Sequence, residues 1–307
     1  MPWPGEIVDC DGVRVFVRAT PAVPGADLAL FVHGLGGSSL NWTDLMDLLR
    51  QPAGGSAAGQ DLNCEAMDLP GFGFSPVPAD GRYSVSAHAE AAIALIAKRG
   101  NGPVHLIGNS LGGAVCTRVA SRRPDLVRTM TLVSPALPDL RPRPLPVRLV
   151  LATAPGIGRW MMRRLQRVPA ELRATRSFHD LYRDPALVHP TRRAAEIEEV
   201  IRRDALDYSA DALVRSARSL VTEYARIGPG SLWHDAARVS APTLVIHGSH
   251  DRLVNPVMST RAARVFPDAR VVVLPRVGHV AMMERPDLVA REVRDFLAAH
   301  SAALPVR

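Results

Sequence analysis

Apolar and polar positions along the chain switch between two periods, and the switch points predict the elements. Glu6-Ile7-Val8-Asp9 and Val13-Arg14-Val15-Phe16-Val17 flank Asp11-Gly12, which predicts a tight hairpin. Short apolar, partly β-branched runs follow at 28–33, 62–67, 103–107 and 129–133, each bounded by turn residues. They read as buried strands of a parallel sheet. Helical patterns lie between them over about 41–50, 85–98 and 113–120. From about Ala136 to Tyr224 no strand pattern is evident, only helical segments broken by prolines. Strand and helix alternate again from Pro242-Thr243-Leu244-Val245-Ile246-His247 through Arg270-Val271-Val272-Val273-Leu274-Pro275 to a final helix over 286–299. Pro52 to Gly59 is a Gly- and Ala-rich loop without chemistry, and no internal repeat is present.

This order predicts an α/β architecture, a mostly parallel doubly wound sheet with one helical insertion. The core domain is expected over 1–135 and 225–307, and a helical cap over 136–224. The length of 307 residues suits one α/β domain with an insertion, and a hydrophobic share of 47% supports a sizeable core.

Gly108-Asn109-Ser110-Leu111-Gly112 puts one serine on a sharp turn between a strand and a helix. A residue held there is expected in a strained backbone conformation that lifts its hydroxyl out of the sheet. The first N–H groups of the helix then point at whatever the serine attacks. A serine hydroxyl is a poor nucleophile until a base takes its proton. On folds with this elbow the chain order is serine, acid, histidine. Asp251 and His279 follow in that order, each just past a predicted strand. That edge of an open parallel sheet is where ligands bind.

Four segments resemble the α/β-hydrolase superfamily: His33-Gly34-Leu35-Gly36-Gly37-Ser38, Asp68-Leu69-Pro70-Gly71-Phe72-Gly73-Phe74-Ser75, the Ser110 elbow, and the Asp251 and His279 loops. The resemblance covers nearly the whole chain except the middle. It implies the α/β-hydrolase fold, with Ser110 as nucleophile, His279 as general base and Asp251 as the acid that orients it. Acyl chemistry also needs two donors for an oxyanion. The N–H of Leu111, directly after the nucleophile, is one; the resemblance implies the N–H of Leu35 as the other. The same Gly-rich run is not read as a dinucleotide loop, because Ser39 stands where G-x-G-x-x-G needs its third glycine.

Other residues compete for these roles. Asp139 follows the strand at 129–133, where some members of the superfamily carry the acid, but Asp251 fits its loop pattern better. His33 and His247 each precede a glycine at a strand end and are expected to be structural, bonded to nearby backbone. His250 adjoins Asp251 and is expected to point elsewhere. No His, Cys, Asp or Glu cluster has metal spacing, so neither metal nor other cofactor is implied.

Three functions follow as expectations. The first is a carboxylesterase-like or lipase-like serine hydrolase, cleaving a small ester with an apolar acyl or alcohol part through an acyl-enzyme. The second is a C–C bond hydrolase of ring-cleavage diketones, or an acyl transferase. Gly108-Asn109-Ser110 before Leu111-Gly112-Gly113, with Asn41-Trp42, resembles the ring-cleavage hydrolases. Leu35-Gly36-Gly37 in place of Gly-Pro-Gly, and Val280 in place of a tryptophan after the base, depart from them. The third is a non-enzymatic ligand receptor on the same fold. Ser110 excludes the mechanisms of haloalkane dehalogenases and epoxide hydrolases, which use a carboxylate nucleophile.

Charge adds one feature. The net charge is +7, and residues 141–176 hold nine arginines against one acid, Glu171. Ile157, Met161 and Leu165 fall on one helical face among those arginines, with Trp160 beside them. Two readings stay open. The cap leans weakly on an anionic membrane or admits an acidic, greasy substrate. Otherwise the arginines reflect a GC-rich bacterial genome, since Lys98 is the only lysine, and the apolar face packs on the core. Nucleic-acid binding is not expected, because no recognition motif is present and aromatic residues make up 5%. Cys10, Cys64 and Cys116 are odd in number and suggest no disulfide framework. The N-terminus shows no signal-peptide pattern and no stretch has the length and apolarity of a membrane span, so a cytoplasmic location is expected.

Overall fold

The computed structural model describes residues 3–50, 62–139 and 157–301. Among these, eight strands form one sheet. They are β1 (Gly5–Cys10), β2 (Val13–Ala19), β3 (Asp27–Val32), β4 (Leu62–Met67), β5 (Val104–Asn109), β6 (Val127–Val133), β7 (Thr243–Gly248) and β8 (Ala269–Leu274). Their order is β1-β2-β4-β3-β5-β6-β7-β8. The pairings from β4 to β8 are parallel, and β1–β2 and β2–β4 are antiparallel.

The hairpin forms where expected. Asp11 and Gly12 take φ of 54° and 92°, the left-handed pair of a two-residue turn whose twist matches that of its strands. Asp9 Oδ1 accepts the Gly12 N–H at 2.9 Å. Along the central strands the period of two sorts side chains to two cores. Leu28, Leu30, Val32, Leu106, Leu132 and Val245 share one face with helices α2 (Val85–Arg99) and α3 (Leu111–Arg122). Ala29, Phe31, Ile107, Val133, Leu244 and Ile246 share the other with α1 (Thr43–Arg50) and the C-terminal helix Pro286–Ser301. Cys10, Cys64 and Cys116 are buried and free.

The helix expected from Asn41 begins instead as a 3₁₀ turn, Ser39–Trp42, before α1. Ser38 and Asn41 cap each other there: Ser38 Oγ accepts the Leu40 N–H and Asn41 Oδ1 the Ser38 N–H. Trp42 is fully buried against Phe31, ring centroids 5.3 Å apart.

Between β6 and β7 the described residues hold no strand. Their longer helices are α4 (Ile157–Gln166), α5 (Ala170–Leu181), α6 (Pro190–Asp204) and α7 (Ser209–Ala225). The loop at 52–59 and the arginines at 141, 143 and 148 lie outside the described residues. Trp160 and Leu165 on α4 stay 59% and 41% exposed, while Met161 is half-buried. That face is therefore neither packed on the core nor closed into a pocket at those two residues. Instead α6 meets the core through arginines that lie beyond the 141–176 cluster. Arg192 pairs with Asp44 and donates to Leu40 O at 3.1 Å. Arg202 donates to Gly73 O at 2.6 Å and covers the Phe74 ring at 4.2 Å. No helix among the described residues is long and apolar enough to cross a membrane.

Candidate active site

Strand β5 ends at Asn109 and α3 begins at Leu111, so Ser110 alone makes the turn between them. Its φ of 52° and ψ of −116° are sparsely populated for a residue with a side chain, a strain of about 1–3 kcal/mol. The surroundings hold it there. Ser110 N donates to Val133 O at 3.2 Å, and its carbonyl accepts from Ala114 N at 3.2 Å and Ala136 N at 2.9 Å. The helix can close onto β3 because residue 112 is glycine. A Cβ there would overlap the Val32 carbonyl oxygen and lie 2.6 Å from His33 O.

Leu111 follows this serine directly, and the loop that carries Leu35 lies beside it. The bond from Ala114 N to Ser110 O opens the helical ladder, so the Leu111 N–H precedes it. The loop after β3 is a turn closed by Gly37 N on Gly34 O at 3.1 Å, with Gly36 at φ 73°. Only glycine takes that third position without strain, and Leu35, the second residue, keeps its N–H outside the closing bond. The loop lies against Ser110: a Cβ on Gly34 would be 3.1 Å from Ser110 Cβ.

Asp251 follows β7 and His279 follows β8, on the same sheet edge as Ser110. His279 Nδ1 and Asp251 Oδ2 are 2.9 Å apart, and both residues are buried. Asp251 Oδ1 accepts from Leu253 N at 2.8 Å and Val254 N at 2.9 Å. Burial pushes the Asp251 carboxyl up. The neighbouring His279 and these hydrogen bonds outweigh that and hold it below the ordinary carboxylate value. Asn109 Nδ2 bridges Val133 O at 2.9 Å and His279 O at 3.4 Å, which ties the histidine loop to the elbow. Among the described residues the Ser110 hydroxyl and the imidazole are not joined by a hydrogen bond; their loops meet through Asn109.

The competing residues are placed elsewhere. The carboxylate on His279 Nδ1 is that of Asp251, not of Asp139. His250 is exposed and bonds Ser249 Oγ at 2.9 Å. His33 is structural as expected: Nδ1 donates to Gly34 O at 2.7 Å and Nε2 accepts the Leu69 N–H at 2.9 Å. Burial pushes it down to about 4, against the pull of the bond to Gly34, so it is neutral. His247 departs from expectation. It is buried, yet neither ring nitrogen has a partner among the described residues. The backbone bond expected for it is not made. Burial pushes its pKa down to about 4, with Asp251 opposing and His279 adding to the shift.

Sequence reasoning missed the polar groups that α6 brings to the loop after β3. Arg203 Nη1 donates to Gly36 O at 2.7 Å. Asn41 Nδ2 donates to Glu196 Oε1 at 3.1 Å. Burial pushes the Glu196 carboxyl up to about 7; Arg192 opposes the shift and Glu199 adds to it. Arg192, Glu196, Glu199 and Arg203 recur every three or four residues on α6. Such a stripe reads as a solvated face, and only the fold turns it inward.

A family model described as the alpha/beta hydrolase fold matches residues 29–286. The chain is 29% identical over 280 residues to 2-hydroxymuconate semialdehyde hydrolase of Pseudomonas putida, covering 89% of this chain and 88% of that protein. It is 26% identical over 272 residues to lipase 3 of Moraxella sp. strain TA144, covering 87% and 76%. Among solved structures it is similar in fold to 2-hydroxy-6-oxo-6-phenylhexa-2,4-dienoate hydrolase from Rhodococcus sp. strain RHA1. That match has a TM-score of 0.74 at 21% identity over 96% of this chain and 100% of the other.

Proposed function

The chain belongs to the alpha/beta hydrolase fold family, and on that premise we propose that it is a serine hydrolase whose nucleophile is Ser110. His279 is its base, Asp251 orients the base, and the N–H groups of Leu35 and Leu111 hold the oxyanion. The observation that carries this reading is the 2.9 Å contact of His279 with Asp251 on the sheet edge that also bears the strained Ser110.

The chemistry follows from these positions. The Ser110 oxygen attacks a carbonyl carbon while His279 Nε2 takes its proton. The imidazolium that forms is stabilised through Nδ1 by Asp251, which stays ionised. Charge that builds on the carbonyl oxygen meets two main-chain donors fixed before reaction begins. The imidazolium then protonates the leaving group, an acyl-enzyme remains, and His279 deprotonates the water that releases it.

The leading substrate class is a small carboxylic ester. A second reading is supported by Arg203, which brings a cation to the oxyanion loop. An acidic substrate would gain a charge-assisted bond there. Relatives named for muconate and dienoate hydrolysis act on carboxylate-bearing molecules. In that case the bond broken is C–C, and the proton from His279 goes to carbon.

Graded p-nitrophenyl esters and a carboxylate-bearing ring-cleavage diketone, assayed beside fluorophosphonate labelling, test both. Turnover with label on Ser110 is expected. Label on a different serine would overturn the assignment, and no turnover of either class would favour a receptor.

A further inference from the structure

Glu284 is an acid inside the buried run Ala281-Met282-Met283-Glu284, the short helix that follows the histidine loop. Its carboxylate is taken up by main chain. Oε1 accepts from Asp184 N at 2.9 Å and Arg183 N at 3.1 Å; Oε2 accepts from Gly278 N at 2.7 Å and Arg183 N at 3.1 Å. Gly278 directly precedes His279. Arg183 and Asp184 belong to the insertion, just past α5. A return bond runs the other way, from His279 N to Leu181 O at 2.7 Å. Residues 181–184 and 278–279 are thus stapled together, with one carboxylate as the central acceptor. The His279 carbonyl is held on its far side by Asn109. An ionised acceptor makes these bonds stronger than neutral ones. An amide could not replace it, because its NH₂ would face an N–H donor.

We propose that Glu284 is a positioning residue: its carboxylate ties the inserted segment 181–184 to the Gly278 peptide and so sets how His279 faces Ser110. This rests on His279 being the base. The insertion then forms part of the mounting of the base as well as a roof over the site. Glu284 is buried and its acceptors are spent on backbone, so its loss should appear in turnover and not in substrate affinity.

Two variants test this in the full chain. Glu284→Gln removes the charge and one acceptor. Gly278→Ala leaves the carboxylate intact but drives a Cβ to 2.5 Å from Leu181 O and 2.7 Å from Arg183 N, forcing the two segments apart. Competent sites are counted by exhaustive fluorophosphonate titration, so that kcat is expressed per reactive Ser110. The expected result in both is a fall in kcat of about 10- to 100-fold with KM within about twofold. A kcat per site unchanged in both, or a loss confined to KM or to the number of sites, overturns the proposal. If Glu284→Gln does not fold, Gly278→Ala decides. The proton resonance of His279 Nδ1–H on Asp251 gives a readout independent of turnover. It should move in the variants, and an unmoved signal counts against the proposal. Wild type that takes no label on Ser110 would overturn the hydrolase reading, while the resonance still reports on the staple.

Discussion

His279 Nδ1 faces Asp251 Oδ2 at 2.9 Å, while the other oxygen of Asp251 is held by the Leu253 and Val254 N–H groups. The acid is therefore fixed by its own loop before it meets the imidazole, and it can define one ring orientation and one tautomer. That relationship makes the roles of the three residues separable by mutation. Ser110→Ala should lower kcat by about 10³- to 10⁶-fold, and His279→Ala by a similar factor. The double variant should lose little more, because the two act as a unit. Asp251→Asn should cost less, since the acid takes no proton. Additive losses, or a neutral Asp251→Asn beside a crippled Asp139→Asn, would sink the assignment.

The elbow and the oxyanion loop should respond differently to one added methyl group. Gly112→Ala drives a Cβ into the Val32 and His33 carbonyls, both main chain, so nothing nearby can yield cheaply. A loss of about 3 kcal/mol or more is expected in urea unfolding. On Gly34 the same Cβ meets side-chain atoms, Asn109 Oδ1 at 2.9 Å and Ser110 Cβ at 3.1 Å. Gly34→Ala should therefore lower kcat more than stability. Equal unfolding midpoints for Gly112→Ala and wild type would contradict the elbow geometry.

Arg203 should separate acidic from neutral substrates. Arg203→Met removes both the bond to Gly36 O and the cation. Loss of the bond affects every substrate, but loss of the cation affects only carboxylates. The kcat/KM ratio of a carboxylate-bearing diketone over a p-nitrophenyl ester should fall about tenfold or more. An unchanged ratio would leave the ester reading alone.

His247 should make stability depend on pH in the acid range. In the folded state its pKa is pushed down to about 4 from an ordinary 6.5, chiefly by burial. The fold keeps it neutral while the unfolded chain accepts a proton. Its contribution is complete above 6.5 and is lost as pH falls from there toward 4, by up to about 3 kcal/mol. His247→Leu should lose less stability than wild type when unfolding is compared at pH 7 and near pH 4.5. Parallel curves for the two proteins would refute this.

Much of this molecule was legible in the chain. Strands β1 to β8 announced themselves because alternation, β-branched runs and turn residues are local signals. The Ser110 elbow was legible for the same reason: its strain arises within a few residues of backbone. Asp251 and His279 could be set on one edge because parallel strands all end on the same side of the sheet. The direction of the apolar face of α4 was not legible. Spacing showed that Trp160 and Leu165 share a helix region with arginines, but not which way that region points.

The sequence by itself determined the fold class and the strand–helix order, because each depends on neighbours in the chain, and its resemblance to the α/β-hydrolase superfamily pointed to the three residues of the candidate triad. Tertiary structure alone decided which polar groups meet across it. Arg203 reaches Gly36 across 167 positions, and Glu284 gathers N–H groups from Arg183 and Asp184, 101 and 100 positions away. It also left the buried His247 ring without a hydrogen-bond partner among the described residues. A charge every three or four residues looks the same whether a helix faces water or a loop. Whether it is solvated or buried depends on what the rest of the chain packs against it.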